Sequence, residues 1–154
     1  MAITIAIESP LQDDVRTMVA ELNDYLLKLT PPEFVFHLTV EQMAEPGVTV
    51  WIARDGGEAV GCGALKRHDA RIAEVKRMYT RESHRGQGVG RRVLGEIVDA
   101  ALADGIEELV LETGDQHHAA WAIYEKAGFL RCGPVLDYPD THHSVFYHKQ
   151  LLAA

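Results

Sequence analysis

Three glycines lie within five residues, at Gly86, Gly88 and Gly90, in the stretch RESHRGQGVGRRVL between Arg81 and Leu94. Because glycine has no Cβ atom, successive backbone N–H groups can converge there on an oxyanion. Apolar residues at helical spacing predict a helix that begins near Val89, and its N-terminus adds partial positive charge. The stretch therefore predicts a binding site for a phosphate or pyrophosphate group.

Basic residues are concentrated around this loop. From Lys66 to Arg92 the chain has nine Lys and Arg against three Asp and Glu, a net charge of +6 in a chain of net charge −8. The remainder therefore carries −14. The acidic total predicts no nucleic-acid partner. The local positive charge predicts an anion site, in which Arg85, Arg91 and Arg92 would supply charge-assisted donors; a solvated charged face is the alternative.

Other phosphate-binding loops fit less well. The dinucleotide fingerprint Gly-x-Gly-x-x-Gly is met at Gly86 and Gly88, but Arg91 stands at its third glycine. That fingerprint also requires an immediate strand-to-helix turn, whereas TRESHR precedes the glycines here. Glu112, at the end of the next strand, could act as a ribose-binding acid, so a dinucleotide site stays an alternative. A turn that only reverses the chain is another.

Hydrophobic patterns place the loop between a strand and a helix. Alternation predicts strands over 3–7, 47–69 (a hairpin), 71–81, 106–113, 129–136 and 144–152, and helical spacing predicts helices over 10–29, 33–44, 89–104 and 115–128. In the strand over 71–81, alternation puts Ile72, Glu74, Lys76, Met78 and Thr80 on one side. The pattern predicts a mixed α/β fold with helices on both faces of the sheet.

Length and composition limit the class of protein. The 154 residues, 47% hydrophobic and 25% charged, predict one domain over 1–154. The start MAITIAIESP lacks the features of a signal peptide, and no apolar stretch approaches the roughly 20 residues that span a bilayer. Cys62 and Cys132 are expected to be buried thiols. We therefore expect a cytoplasmic protein without a membrane partner.

Two segments resemble a known family. Arg85-Gly-Gln-Gly-Val-Gly90 matches Arg/Gln-x-x-Gly-x-Gly/Ala, the acetyl-CoA pyrophosphate motif of the GCN5-related N-acetyltransferases (GNAT superfamily). AAWAIYEKAGF is similar to a second family segment, matched here at Ala120, Tyr124, Gly128 and Phe129. The likeness covers most of the chain. It implies an α/β (α+β) domain with a mostly antiparallel sheet of six to seven strands and about four helices. It also implies an N-acetyltransferase whose co-substrate is acetyl-CoA.

The resemblance also implies which residues hold the co-substrate. Its pantetheine arm would lie along Met78, Tyr79 and Thr80, at the end of the strand before the loop. Its pyrophosphate would be bound by Arg85, Gly86, Gln87, Gly88, Val89, Gly90 and Arg91. Where the family often has an asparagine that bonds the arm, seven positions before Tyr124, this chain has His117. Either His117 replaces that donor or the contact is missing.

Acetyl transfer to an amine also needs a base and an acid, because a lysine-like amine with a pKa of about 10.4 is protonated at neutral pH. Glu74 is the first candidate base, since it precedes Arg85 by eleven positions, like the catalytic glutamate of histone-acetylating members. The alternative is an ion pair with Lys76. Glu112 is the second candidate base, and the histidines are the third. Tyr124 matches the family's usual general acid, although it could equally be a core residue.

The acceptor is the least specified part of the reaction. We expect a small-molecule primary amine, bound near 27–38 and 133–144 and attacking directly in a ternary complex. The charge of −14 favours a cationic amine. The pairs His117–His118 and His142–His143 lack the spacing of a metal site, so no metal is predicted. A homodimer is typical of relatives. The rival function is a non-catalytic acyl-CoA-binding sensor or interaction module.

Overall fold

Seven strands and four α-helices make up residues 2–151, the part of the chain that this computed structural model describes. The strands are β1 (Ile3–Ile7), β2 (Val48–Asp55), β3 (Glu58–Arg67), β4 (Ile72–Thr80), β5 (Glu108–Gly114), β6 (Leu130–Cys132) and β7 (Ser144–Gln150). The helices are α1 (Asp13–Leu29), α2 (Val40–Met43), α3 (Val89–Ala103) and α4 (His118–Lys126). Short 3₁₀ turns cover Pro32–Phe34 and Glu82–His84.

The strands form one sheet in the order β1-β2-β3-β4-β5-β7-β6. All neighbours are antiparallel except β4 and β5, which run parallel and pair only over Ile72–Glu74 and Glu108–Val110. Beyond these residues the two strands share no ladder, which leaves an opening in the middle of the sheet. The predicted mixed, mostly antiparallel fold is confirmed.

Each face of the sheet carries its own hydrophobic core. On one face, α3 buries Val93 and Ile97 in a core shared with Tyr147. On the other, α1 buries Met18 in a core shared with Ile52. Helix α3 lies close to β3 because Gly63 has no side chain: a Cβ atom there would be 2.7 Å from Cγ1 of Val93. Helices on both faces match the prediction.

A β-bulge in β4 overturns the predicted alternation. The pairing of β3 with β4 shifts between Cys62 and Ala64, and the unpaired Arg77 has φ +55°. Before the bulge Val75 packs in the α3 core, and after it Met78 does. The prediction that Met78 and Thr80 share a side with Glu74 is therefore wrong, because one extra residue reverses the alternation.

Several predicted boundaries also change. The helix predicted over 33–44 is a 3₁₀ turn and the short α2, which a Thr39–Gln42 capping box starts. The strand predicted over 129–136 ends at Cys132, before Gly133-Pro134, because proline cannot donate to a ladder. The strand predicted over 144–152 ends at Gln150, and Leu152 lies outside the described residues.

Two further expectations concern thiols and membranes. Cys62 is buried, as predicted, but Cys132 is only half-buried, and both are free thiols. Within residues 2–151, no helix has both the length and the apolar character needed to cross a membrane.

Candidate active site

The glycine loop leaves the start of α3 open to a ligand. Gly86 and Gly88 have φ values of +77° and +81°, in the left-handed region that other residues rarely adopt. Gly88 is the N-cap of α3, and it has no side chain with which to satisfy the first backbone N–H groups. These donors and the helix dipole suit an anion, and the predicted phosphate site stays a prediction.

A cavity of about 400 Å³ lies against this loop. Its lining combines the end of β4, the loop and one side of α4: Tyr25, Met78, Tyr79, Thr80, His84, Arg85, Gly86, Gly88, Val89, Gly90, Arg91, Ala119, Ala120, Ile123, Tyr124 and Lys126. We call this the loop cavity. Nine of the eleven residues predicted to bind the co-substrate line it. Gln87, which is exposed, and His117 do not line it.

Sequence reasoning missed several lining residues. Ala119, Ile123 and Lys126 follow one another at helical spacing, so the periodicity of α4 could have indicated them. Tyr25 could not be found in this way, because α1 reaches the cavity only through tertiary packing.

The basic segment does not form a positive patch around the loop. Arg67, Arg71 and Arg81 pair with Asp104, Glu107 and Glu21, at N–O distances of 2.7, 2.8 and 2.8 Å. Arg92 donates to the carbonyl oxygen of Ile3 at 3.1 Å, so its predicted role at the loop is wrong: the turn of α3 directs it to β1.

Two arginines of the basic segment do line the loop cavity. The Arg85 guanidinium lies 4.8 Å from the Tyr25 ring centroid, and its Nε donates to the carbonyl of Thr80 at 3.0 Å. Arg91 also lines this cavity, and α4 adds Lys126. The cavity therefore holds three cations beside the open helix terminus.

A second, narrower cavity of about 100 Å³ adjoins the first. Its lining comes from α1, the segment after it, β4, β5 and α4: Leu22, Leu26, Thr30, Phe34, Val35, Phe36, Val75, Lys76, Arg77, Met78, Glu112, Thr113, Gly114, His117, Ala120 and Tyr124. We call this the inner cavity. Both cavities include Met78, Ala120 and Tyr124. The predicted acceptor segment 27–38 lines the inner cavity, whereas 133–144 reaches it only indirectly, through contacts to its neighbours.

Glu112 is the carboxylate in the inner cavity. Burial raises its pKa to about 7, although a hydrogen bond from Ser144 Oγ, at 2.8 Å, and the charge of Lys76 oppose this shift. A carboxyl group that exchanges its proton near neutral pH suits general base catalysis.

Glu74, the first candidate base, has a different environment. It is 2% exposed and lines neither cavity. Its Oε1 lies 2.9 Å from His68 Nε2, and its Oε2 accepts from Lys76 Nζ, at 3.3 Å, and from the Tyr138 hydroxyl. Both oxygens are thus engaged, which matches the predicted ion-pair alternative. Tyr138 was missed because it lies 64 residues away along the chain.

Tyr124 lies where the two cavities meet. The residue is 6% exposed, and its ring packs against Phe129 and Tyr147 at centroid distances of 5.9 and 6.0 Å. Burial, and secondarily the charge of Glu112, raises the pKa of its hydroxyl well above the usual value. The phenol therefore keeps its proton at neutral pH and can act as a donor.

His117 forms the N-cap of α4 and lines the inner cavity, not the loop cavity. Burial lowers its pKa, so the ring is neutral at pH 7. Its Nε2 is buried and has no hydrogen-bond partner. Space for the ring depends on Gly114, where a Cβ atom would lie 2.9 Å from His117 Cδ2.

A sequence model of the acetyltransferase (GNAT) family matches residues 15–129, which include the glycine loop, Glu112 and Tyr124. The chain belongs to this family.

The chain is also similar to individual proteins of the GNAT family. The IAA acetyltransferase of Azospirillum brasilense is 41% identical over 150 residues, which are 97% of this chain and 98% of that protein. A Klebsiella pneumoniae protein solved as a candidate acyl-CoA N-acyltransferase is 30% identical, with a TM-score of 0.82, covering 97% and 98% of the two chains. A Salmonella typhimurium protein solved with acetyl-CoA shares the fold at 18% identity and a TM-score of 0.74, covering 100% and 96%.

Membership of the GNAT family confirms the prediction of an acyl-CoA-dependent N-acetyltransferase and decides against a dinucleotide-binding protein. Membership of the family does not specify which acceptor this chain uses.

Proposed function

We propose that this protein transfers an acetyl group from acetyl-CoA, bound in the loop cavity, to a primary amine of a small molecule in the inner cavity. One observation carries the proposal: the two cavities meet at Tyr124, with an anion-binding helix terminus in one and a carboxyl group of pKa about 7 in the other. The residues of the loop cavity suit the co-substrate, since its glycines expose backbone donors and its three cations complement phosphate charge.

The roles of Glu112 and Tyr124 follow from their places. Glu112 accepts a proton from the ammonium group, and the freed nitrogen forms a bond to the thioester carbonyl carbon as the C–S bond breaks. Tyr124 donates a proton to the departing thiolate, and the second nitrogen proton leaves to solvent. The cycle closes when Glu112 releases its proton and Tyr124 is reprotonated from solvent. No covalent acyl-enzyme is needed. The geometry favours Glu112 over Glu74 as the base, because Glu112 lines the inner cavity and Glu74 is held by three partners.

Free-thiol release from acetyl-CoA, measured across a panel of amines, amino acids and peptides, tests the proposed transfer. We expect release with at least one small-molecule acceptor and thermal stabilisation by coenzyme A. Stabilisation without turnover on any acceptor would instead support the sensor or interaction module. Absence of stabilisation would contradict both functions.

Replacing Tyr124 with phenylalanine is expected to lower kcat by about 100-fold, because the thiolate loses its proton donor. Binding of acetyl-CoA should not change, since the ring stays in place. Tyr147→Phe is the matched control: that ring packs in the same core, but its hydroxyl donates to Glu125 at 2.6 Å and lines neither cavity. Equal turnover by Tyr124→Phe and the parent protein would remove Tyr124 from the mechanism.

A cytoplasmic location and a homodimer stay predictions. Strands β1 and β6 form the two edges of the sheet, and either edge offers unpaired backbone groups through which a second copy could associate. Light scattering after size-exclusion chromatography should give twice the chain mass of 17.1 kDa. A mass of one chain at micromolar concentration would contradict the dimer.

A further inference from the structure

Arg77 is a buried cation without an anionic partner. It is 7% exposed, and within residues 2–151 no carboxylate lies within 4.0 Å of it. Its Nη2 donates to the side-chain oxygen of Asn23, while its Nε is buried without a hydrogen-bond partner. Burying an unpaired charge is costly. A guanidinium kept in this state therefore points to an anion that is supplied by a ligand.

The backbone of β4 directs this side chain toward the inner cavity. Without the bulge, alternation would place Arg77 with Ala73 and Val75 in the α3 core. The bulge, with φ +55° at Arg77, turns it instead toward α1 and Asn23, where it lines the inner cavity. Bulges beside active sites commonly redirect a side chain, and positive φ in a residue other than glycine is a strain found at functional sites.

The three charged residues that line the inner cavity have different environments. Lys76 is engaged by Glu74 and Tyr138, at 3.3 and 2.6 Å, so its charge is satisfied within the protein. Glu112 is placed for the amine. Arg77 is left as a free cation in the cavity, and burial lowers its pKa only to about 10, so it is charged at neutral pH. A planar guanidinium matches a carboxylate through two parallel hydrogen bonds.

We propose that the acceptor is a free amino acid, whose carboxylate binds Arg77 while its amine faces Glu112. This inference rests on the proposed acetyl transfer and names the substrate class of the same site. Leu22, Leu26 and Phe36 form an apolar wall of the inner cavity, which suits an apolar side chain. This acceptor carries no net charge, unlike the cationic amine that the charge of −14 favoured. We prefer the amino acid because an unpaired charge inside the cavity lies closer to the ligand than the charges on the protein surface.

Paired substrates test the carboxylate directly. Thiol release is measured with phenylalanine and leucine and with phenethylamine and isoamylamine, the same molecules without the carboxylate. We expect kcat/KM to be higher for the amino acids by about 30-fold or more, the usual effect of one buried charged hydrogen-bonded pair.

Arg77→Met should remove this preference by raising KM for the amino acids about 30-fold, with little change for the amines. Arg67→Met, which removes a partly exposed arginine paired with Asp104, should leave both classes of substrate unaffected. Arg77→Lys keeps the charge without the planar fork and should restore part of the preference.

Thermal unfolding separates ligand binding from a structural role. If Arg77 serves a ligand, Arg77→Met should unfold at the same or a higher temperature than the parent protein, because an unpaired buried charge is removed. The coenzyme A complex of Arg77→Met should also lose the stabilisation that N-acetylphenylalanine gives the parent complex. A lower unfolding temperature, with kcat/KM reduced equally for both substrate classes, would show a structural role and overturn the inference.

Two outcomes distinguish this inference from the proposed function. If the decarboxylated amines react as well as the amino acids, the acetyl transfer stands and the amino-acid acceptor is wrong. If coenzyme A binds but none of the amines, amino acids or peptides releases thiol, the proposed transfer is itself contradicted. The proposal of an amino-acid acceptor is then contradicted as well.

Discussion

Replacing Gly88 with valine is expected to abolish acetyl-CoA binding, with a rise in Kd of about 100-fold or more. Gly88 has φ +81° at the N-cap of α3, a conformation that a β-branched residue adopts only with strain. Relaxing that strain would turn the first N–H groups of α3 away from the pyrophosphate. A side chain there would also stand between the backbone and the ligand. Isothermal titration with acetyl-CoA measures the effect.

Gly95→Val is the matched control for Gly88→Val. Gly95 is exposed on the same helix, has no neighbour within 4 Å of an added Cβ atom, and lines neither cavity. The Gly95→Val variant should bind acetyl-CoA with the same affinity as the parent protein. Circular dichroism confirms folding, and Gly88→Ala, with a smaller side chain at the same φ, should bind more weakly than the parent protein. Parent-like affinity in Gly88→Val would show that the glycine loop is not the co-substrate site.

Replacing Glu112 with glutamine is expected to lower kcat by about 100-fold or more, because the ammonium group loses its base. Since the pKa of Glu112 is about 7, kcat/KM of the parent protein should rise as pH increases through 7, and the variant should lose this step. Glu108→Gln, on the same strand and paired with His148 outside the cavities, should keep the parent profile. If Glu74→Gln removes the step and Glu112→Gln keeps it, Glu74 is the base.

The same pKa predicts the effect of Glu112 on stability. Because its folded pKa of about 7 exceeds the ordinary glutamate pKa of 4.5 in the unfolded chain, Glu112 favours folding below pH 4.5, and this contribution is lost as pH rises to about 7. The glutamine side chain of Glu112→Gln does not ionise, so it makes no such pH-dependent contribution. The unfolding temperature of Glu112→Gln, relative to the parent protein, should therefore rise between pH 4.5 and 8.

Much of the loop cavity could be predicted because its signals are local. The glycines, the arginine before them and the apolar repeat of α3 are neighbours in sequence, and local backbone preference is enough to form a loop and a helix terminus from them. Nine of the eleven predicted residues accordingly line the loop cavity. The count of basic residues near the loop overestimated the positive charge there. Arg67, Arg71 and Arg81 are neutralised by carboxylates distant in sequence.

The acceptor side depended on the tertiary structure. The bulge at Arg77 has no clear sequence signal, yet it decides which residues of β4 face the inner cavity. In the sequence, Glu74 and Glu112 are both carboxylates on predicted strands, and the pattern does not distinguish them. They differ because Tyr138 and His68 engage Glu74, while Glu112 borders open space.

By itself, the sequence determined the family, the mixed sheet and the glycine loop, since these follow from residue spacing along the chain. The tertiary structure decided which carboxylate borders the inner cavity and which arginine is left without an anion. The physical reason is that burial and pairing depend on every segment packed around a group, including those far away in sequence.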